Sequence, residues 1–199
     1  MKMTWKPTPT PDEEAFASIK AGIDALPPGV KMFLNSGELC PRRFIMLTVA
    51  GSKNSRACAY SLPLRLILAE FYGPGLSTAN LELVARFFEK YPEYADRTFL
   101  SVKGGTVPGQ FASDGSRENL RRSVDAILKA LRGTKRLDLF VPARREPNYE
   151  IEHYAEVLNE LVKEGKFDHI GLSEVRAETV RRAHKARIMT RSSVGRVSA

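Results

Sequence analysis

Between Phe99 and Gly105 the chain reads Phe-Leu-Ser-Val-Lys-Gly-Gly, an apolar run closed by a lysine and two glycines. The run has the composition of a buried strand, and the glycines allow a sharp turn without a Cβ penalty. An ammonium at the end of such a strand is costly to desolvate. Lys103 therefore needs a partner, a task, or a route for its head to solvent. In parallel α/β architectures, ligands and chemistry gather at the carboxyl ends of strands. This one stretch asks for strands beside it and helices over them.

The flanking sequence supplies both. Phe16, Ile19, Ile23 and Leu26 fall at helical spacing between Asp12 and Leu26, with three acids in the first turn. Val30 to Leu34 reads as a short strand. Ser77 or Thr78 opens a helix that closes near Tyr91-Pro92, and Thr98 to Val102 is the next strand. Ser116 with Asn119 opens a helix ended by Gly133. Leu137 to Val141, Ile151 to Glu164, His169 to Leu172 and a helix from Ala177 onward complete the alternation. Strand–helix alternation predicts parallel strands with right-handed crossovers, in a barrel or an open doubly wound sheet. No G-x-G-x-x-G follows any strand, which weakens the dinucleotide-fold option.

Charge separates the chain into unlike parts. The formal net charge is +8, yet residues 39–69 and 185–199 hold nine cations and no acid, leaving the rest near neutral. A nucleic-acid-binding domain would spread its cations along one folded face, so no nucleic-acid partner is expected. No stretch has the apolar length of a membrane span, and the amino terminus does not read as a signal. Cys40 and Cys58 are too few for a disulfide scaffold and lack zinc spacing. A reducing, cytoplasmic setting is expected. His153, His169 and His184 sit on separate elements in structural or surface roles, with no metal site.

The strand ends collect Asn35, Lys103, Ala143 or Arg144, and Ser173 with Glu174; Tyr72 sits in a Tyr-Gly-Pro turn. A phenol is a poor acid at neutral pH, and a neighbouring cation lowers its pKa by stabilising phenolate. Tyrosine beside lysine is thus a sensible proton donor to a carbonyl under reduction by hydride. The alternative is a buried aromatic with a satisfied hydroxyl.

Asn35-Ser36-Gly37-Glu38 and Phe71-Tyr72-Gly73 look like two halves of one loop, joined if Leu39 to Glu70 is removed. With Phe99 to Gly105, Asn80 to Asp96, Asp138-Leu139-Phe140 and Ile170 to Glu174, they resemble the aldo-keto reductase superfamily, specifically its fungal pyridoxal reductase-like members. The resemblance implies an α/β fold, a (β/α)8 TIM barrel of which this chain carries about four to five βα units without closure. It implies NADPH as cofactor and an aldehyde as small-molecule substrate, with pyridoxal as the candidate. By position, Tyr72 would be the general acid and Lys103 the group tuning it. Asn35 stands where most of the superfamily has an aspartate, and Ala143 where a histidine is usual. Ser173 matches a residue bonding the nicotinamide carboxamide; Glu174 replaces the usual asparagine beside it. Thr4 and Trp5 match the loop after the first strand, near the cofactor.

The expected organisation is a partial reductase domain over residues 1–184, interrupted by an insert at 39–70, then a disordered basic tail at 185–199. Such a barrel takes ~250 residues, so an alternative is a truncated, non-catalytic fragment or interaction protein without a cofactor site. The shared lack of acids and periodicity in the two basic segments is expected of a misread gene, which sequencing the transcript checks.

Overall fold

The computed structural model describes residues 3–4, 8–35, 73–110 and 112–192, with the side chains of Asn35 and 187–192 excepted. Among them, helix α1 (Asp12–Asp24) leads into strand β1 (Met32–Asn35). Then come α2 (Ala79–Lys90), β2 (Thr98–Gly104), α3 (Arg117–Leu131), β3 (Leu139–Pro142), α4 (Ile151–Lys163), β4 (His169–Ile170) and α5 (Ala177–Ser192). Every helix and strand expected from the sequence among these residues is present, with ends displaced by a few residues. The strands form one parallel sheet in the order β1-β2-β3-β4.

That order decides between the two architectures. A doubly wound sheet reverses strand order at a switch point, whereas a barrel adds each strand beside the last. Here no reversal occurs, and the helices share one face. Leu34, Leu100, Val102 and Phe140 enter the helix-side core with Phe16, Ile19, Phe87, Val124 and Leu158. Alternate strand residues point the other way, following the two-residue period of a strand. Among the described residues the arrangement is four consecutive units of a (β/α) barrel whose sheet is not closed.

Stops and starts follow local chemistry. The Ser116 hydroxyl caps α3 by accepting from the Asn119 amide at 3.2 Å. Arg132 (φ 52°) and Gly133 (φ 73°) end it in the left-handed region. Helix α5 departs from expectation: it continues through Ser192, past His184, so residues 185–192 extend the helix. Ala186, Arg187, Ile188 and Met189 include neither glycine nor proline, and nothing in that run breaks a helix.

Aromatic rings pin the amino-terminal helix to its neighbour. Phe87 of α2 meets Phe16, Phe88, Tyr91 and Tyr94 with centroids 5.1–5.8 Å apart. Arg86 donates twice to the Asp12 carboxylate, at 2.6 and 2.8 Å, and holds that carboxyl below its ordinary range. Arg136 does the same to Asp168. A lowered folded-state pKa contributes stability above the unfolded value and loses it as pH falls through the folded one. The urea midpoint is therefore expected to drop below about pH 4, where free carboxylates protonate. Asp12→Asn should flatten that limb of a midpoint-against-pH series by lowering the neutral plateau slightly toward the acid value.

Candidate functional site

Parallel pairing sets the carboxyl ends of all four strands on one rim. Arg97, just before β2, donates to Asp24 at the end of α1 at 2.8 Å. The carboxyl end of α1 is thus at the strands' amino side, and its start, following buried Thr4, is at the rim. The turn ahead of α1 is closed by the Thr10 amide donating to Met3 O at 2.9 Å.

On the face away from the helices, β2 and β4 meet above β3 in tiers, as alternate strands of a barrel do. Phe99 stacks on His169 with centroids 5.7 Å apart, and on Phe33 of β1 at 5.4 Å. Two residues further along lie Ser101 in β2 and Gly171 just past β4. Two further again, Lys103 Nζ donates to Ser173 Oγ at 3.1 Å. Residues 70 positions apart in sequence therefore converge at the rim, and Ser173 is 97% buried there.

The glycines after Lys103 serve close approach. A Cβ on Gly104 would sit 2.4 Å from Ser123 Oγ and 2.7 Å from the Phe140 ring. Gly105 adopts φ 79°, and its amide donates to Ser123 Oγ at 2.8 Å, tying the strand end to α3.

The predicted residues divide as follows. Lys103 and Ser173 come together. Glu174 lies at the same rim but faces Arg144, with 3.4 Å between carboxylate and guanidinium. Its backbone is left-handed (φ 57°), a conformation asparagine adopts more readily than glutamate. Thr4 is buried ahead of α1. Asn35 ends β1 in register with Ser101, and its side chain lies outside the described residues, as do Tyr72 and Trp5. Among the described residues no three His, Cys, Asp or Glu side chains converge as metal ligands, and no helix is long and apolar enough to cross a membrane.

Sequence reasoning missed two polar features. Lys135 is buried and donates to Asp138 Oδ2 at 2.7 Å, and the same oxygen accepts the Leu100 amide at 2.6 Å. The signal was available, as a lysine three residues ahead of an aspartate that opens an apolar strand. The second is Ser101, wholly buried on the inner face.

The model of the aldo/keto reductase family matches residues 65–195, about two thirds of the chain. This chain belongs to the aldo/keto reductase family. It is 47% identical over 114 residues to the probable pyridoxal reductase 2 of Schizosaccharomyces pombe, covering 57% of this chain and 34% of that one. An uncharacterised oxidoreductase of the same yeast is 30% identical over 182 residues, covering 92% of this chain and 44% of the relative. The chain thus spans less than half the length of these relatives. Among solved structures, the glycerol dehydrogenase of Gluconobacter oxydans superposes with a TM-score of 0.50 at 22% identity, over 59% of this chain and 36% of that one. This likeness supports the barrel fold alone.

Proposed function

We propose that this chain carries the rim of an NADPH-dependent aldehyde reductase, with pyridoxal as the candidate substrate. The observation that carries the reading is the 3.1 Å contact between Lys103 Nζ and Ser173 Oγ at the strands' carboxyl ends. It joins an ammonium suited to stabilising a phenolate with a hydroxyl suited to a carboxamide. NADPH, when bound, supplies the hydride. Tyr72 would protonate the carbonyl oxygen, Lys103 would favour that proton's departure, and Asn35 would hold the lysine without adding charge. Ser173 fits the nicotinamide amide, since its hydroxyl accepts from Lys103 and keeps a proton to donate. Glu174, turned to Arg144, fits that amide poorly. Thr4 and Trp5 would border the cofactor from the first loop. The family kinship and the yeast relative described as a pyridoxal reductase favour the same chemistry.

The domain reading that accompanies this proposal keeps residues 1–184 as the reductase portion, 39–70 as an insertion and 185–199 as an appended basic segment. The family match begins at residue 65 and ends at 195, overlapping both boundaries.

A second reading, a barrel portion without catalysis, is favoured by the open four-stranded sheet among the described residues. Titrating purified protein into NADPH and following nicotinamide fluorescence separates them. Saturable binding at micromolar cofactor is the expected result. No binding at millimolar NADPH would remove the reductase reading for this chain.

A further inference from the structure

Two glycines follow Lys103, and a backbone so permissive does not fix its own course. The position of the strand end has to come from hydrogen bonds. Beyond Gly104 the chain forms two short legs, 105–107 and 112–114, that pair antiparallel through Thr106 and Ser113. The Val107 amide donates to Ala112 O at 2.8 Å, and the Asp114 amide to Gly105 O at 3.0 Å. These bonds hold the legs to each other. Where the pair stands is set by Asn119, Arg122 and Ser123, neighbours on one stripe of α3. Ser123 Oγ accepts the Gly105 amide at 2.8 Å. Arg122 donates through Nη2 to Thr106 O at 2.8 Å and through Nε to Asn119 Oδ1 at 2.9 Å. Asn119 Nδ2 in turn donates to Asp114 O at 2.8 Å. One guanidinium thus reaches the first leg directly and the second through an amide.

We propose that Arg122 is a positioning residue for Lys103. By gripping both legs from α3 it fixes the residues that follow the lysine, and with them the direction from which the ammonium approaches Ser173 Oγ. Its action on the ammonium passes through the backbone. A planar fork reaches two acceptors set apart, which a compact ammonium does less well, so arginine suits the position better than lysine. The consequence for catalysis rests on the reductase reading, but the positional test does not need activity.

The test is amide hydrogen exchange on the full chain, with the Lys103 side chain followed by its Cε chemical shift. In Arg122→Met, which keeps much of the stem, the Val107 and Asp114 amides should exchange about 10- to 100-fold faster, the scale of one hydrogen bond to a charged group. The strands β2 and β3 and the rest of α3 should keep parental rates, and the Lys103 signal should move. Arg122→Lys should fall between parent and Arg122→Met. Where the parent is active, kcat should drop roughly 10-fold or more with the aldehyde KM nearly steady, as for a misplaced reacting group. Parental exchange at both amides overturns the proposal, as does an equal rise throughout α3 and the sheet, which would make Arg122 a general stabilising contact. An unmoved Lys103 beside loosened legs, full rescue by lysine, or a parental kcat in an active protein does so too. If Arg122→Met fails to fold, Asn119→Ala, which releases the second leg, decides through the Asp114 amide and the Lys103 signal. Failure of the parent to bind NADPH, with Lys103 displaced in Arg122→Met, would sink the reductase reading and leave this one standing.

Discussion

Asp138→Ala is expected to lower the unfolding free energy by about 3 kcal/mol, the lower end of the ~3–5 kcal/mol for removing one partner of a buried ion pair. The carboxylate does two things at the amino end of β3. It neutralises Lys135, whose side chain is 5% exposed, and it accepts the Leu100 amide of β2. The Asp138 backbone also donates to Leu100 O and accepts from His169, so the residue fastens three strands at one level. Alanine leaves a buried ammonium and a buried amide unsatisfied together. Asp138→Asn keeps an acceptor for the amide and should lose less. Lys135→Met removes the buried charge and leaves the carboxylate its amide partner, so it should cost about 1 kcal/mol or less. Urea denaturation with an unchanged slope is the measurement. A loss below 1 kcal/mol in Asp138→Ala would show that Lys135 finds water instead.

What could be read in advance was what depends on periodicity. Phe16, Ile19 and Ile23 marked α1 by spacing, and Leu120, Val124 and Ile127 marked α3, because a helix buries one stripe and the stripe repeats in the sequence. The lysine closing Phe99–Val102 pointed to the rim for a similar reason, since a charge ending an apolar run must reach a boundary. Its meeting with Ser173 was not legible, as spacing along the chain holds no record of a contact across β3 and kinship placed both residues at the strand ends without pairing them. Lys135 and Asp138 were passed over because their burial depends on tertiary closure, and three-residue spacing alone reads as a solvated pair. Ser101 was hidden for a related reason: inside a strand, a serine reads as a mere interruption of the apolar run. The end of α5 went the other way. The basic composition after His184 suggested disorder, while the local helix-forming residues carry the helix on through Ser192.

On the reductase reading proposed above, Lys103→Met is expected to reduce kcat for aldehyde reduction by ~10²–10⁴-fold, the range for a disabled proton transfer. Methionine preserves much of the length and packing of the stem, so the ammonium is what the substitution removes. On that reading, loss of the cation would make the phenol of Tyr72 a weaker acid, and the fall in rate at high pH would move to still higher pH. The aldehyde KM should change little, because the lost interaction strengthens only as the carbonyl oxygen takes its proton. Tyr72→Phe should lose a comparable factor, and the double variant should be scarcely worse than either single one, as for residues acting as a unit. A thermal midpoint near the parent's in each variant separates this from mere unfolding. Retention of more than a tenth of parental kcat in Lys103→Met, or losses that multiply in the double variant, would mean that the two groups do not share one proton transfer. The lysine at the end of β2 would then be a structural partner of Ser173 and nothing more.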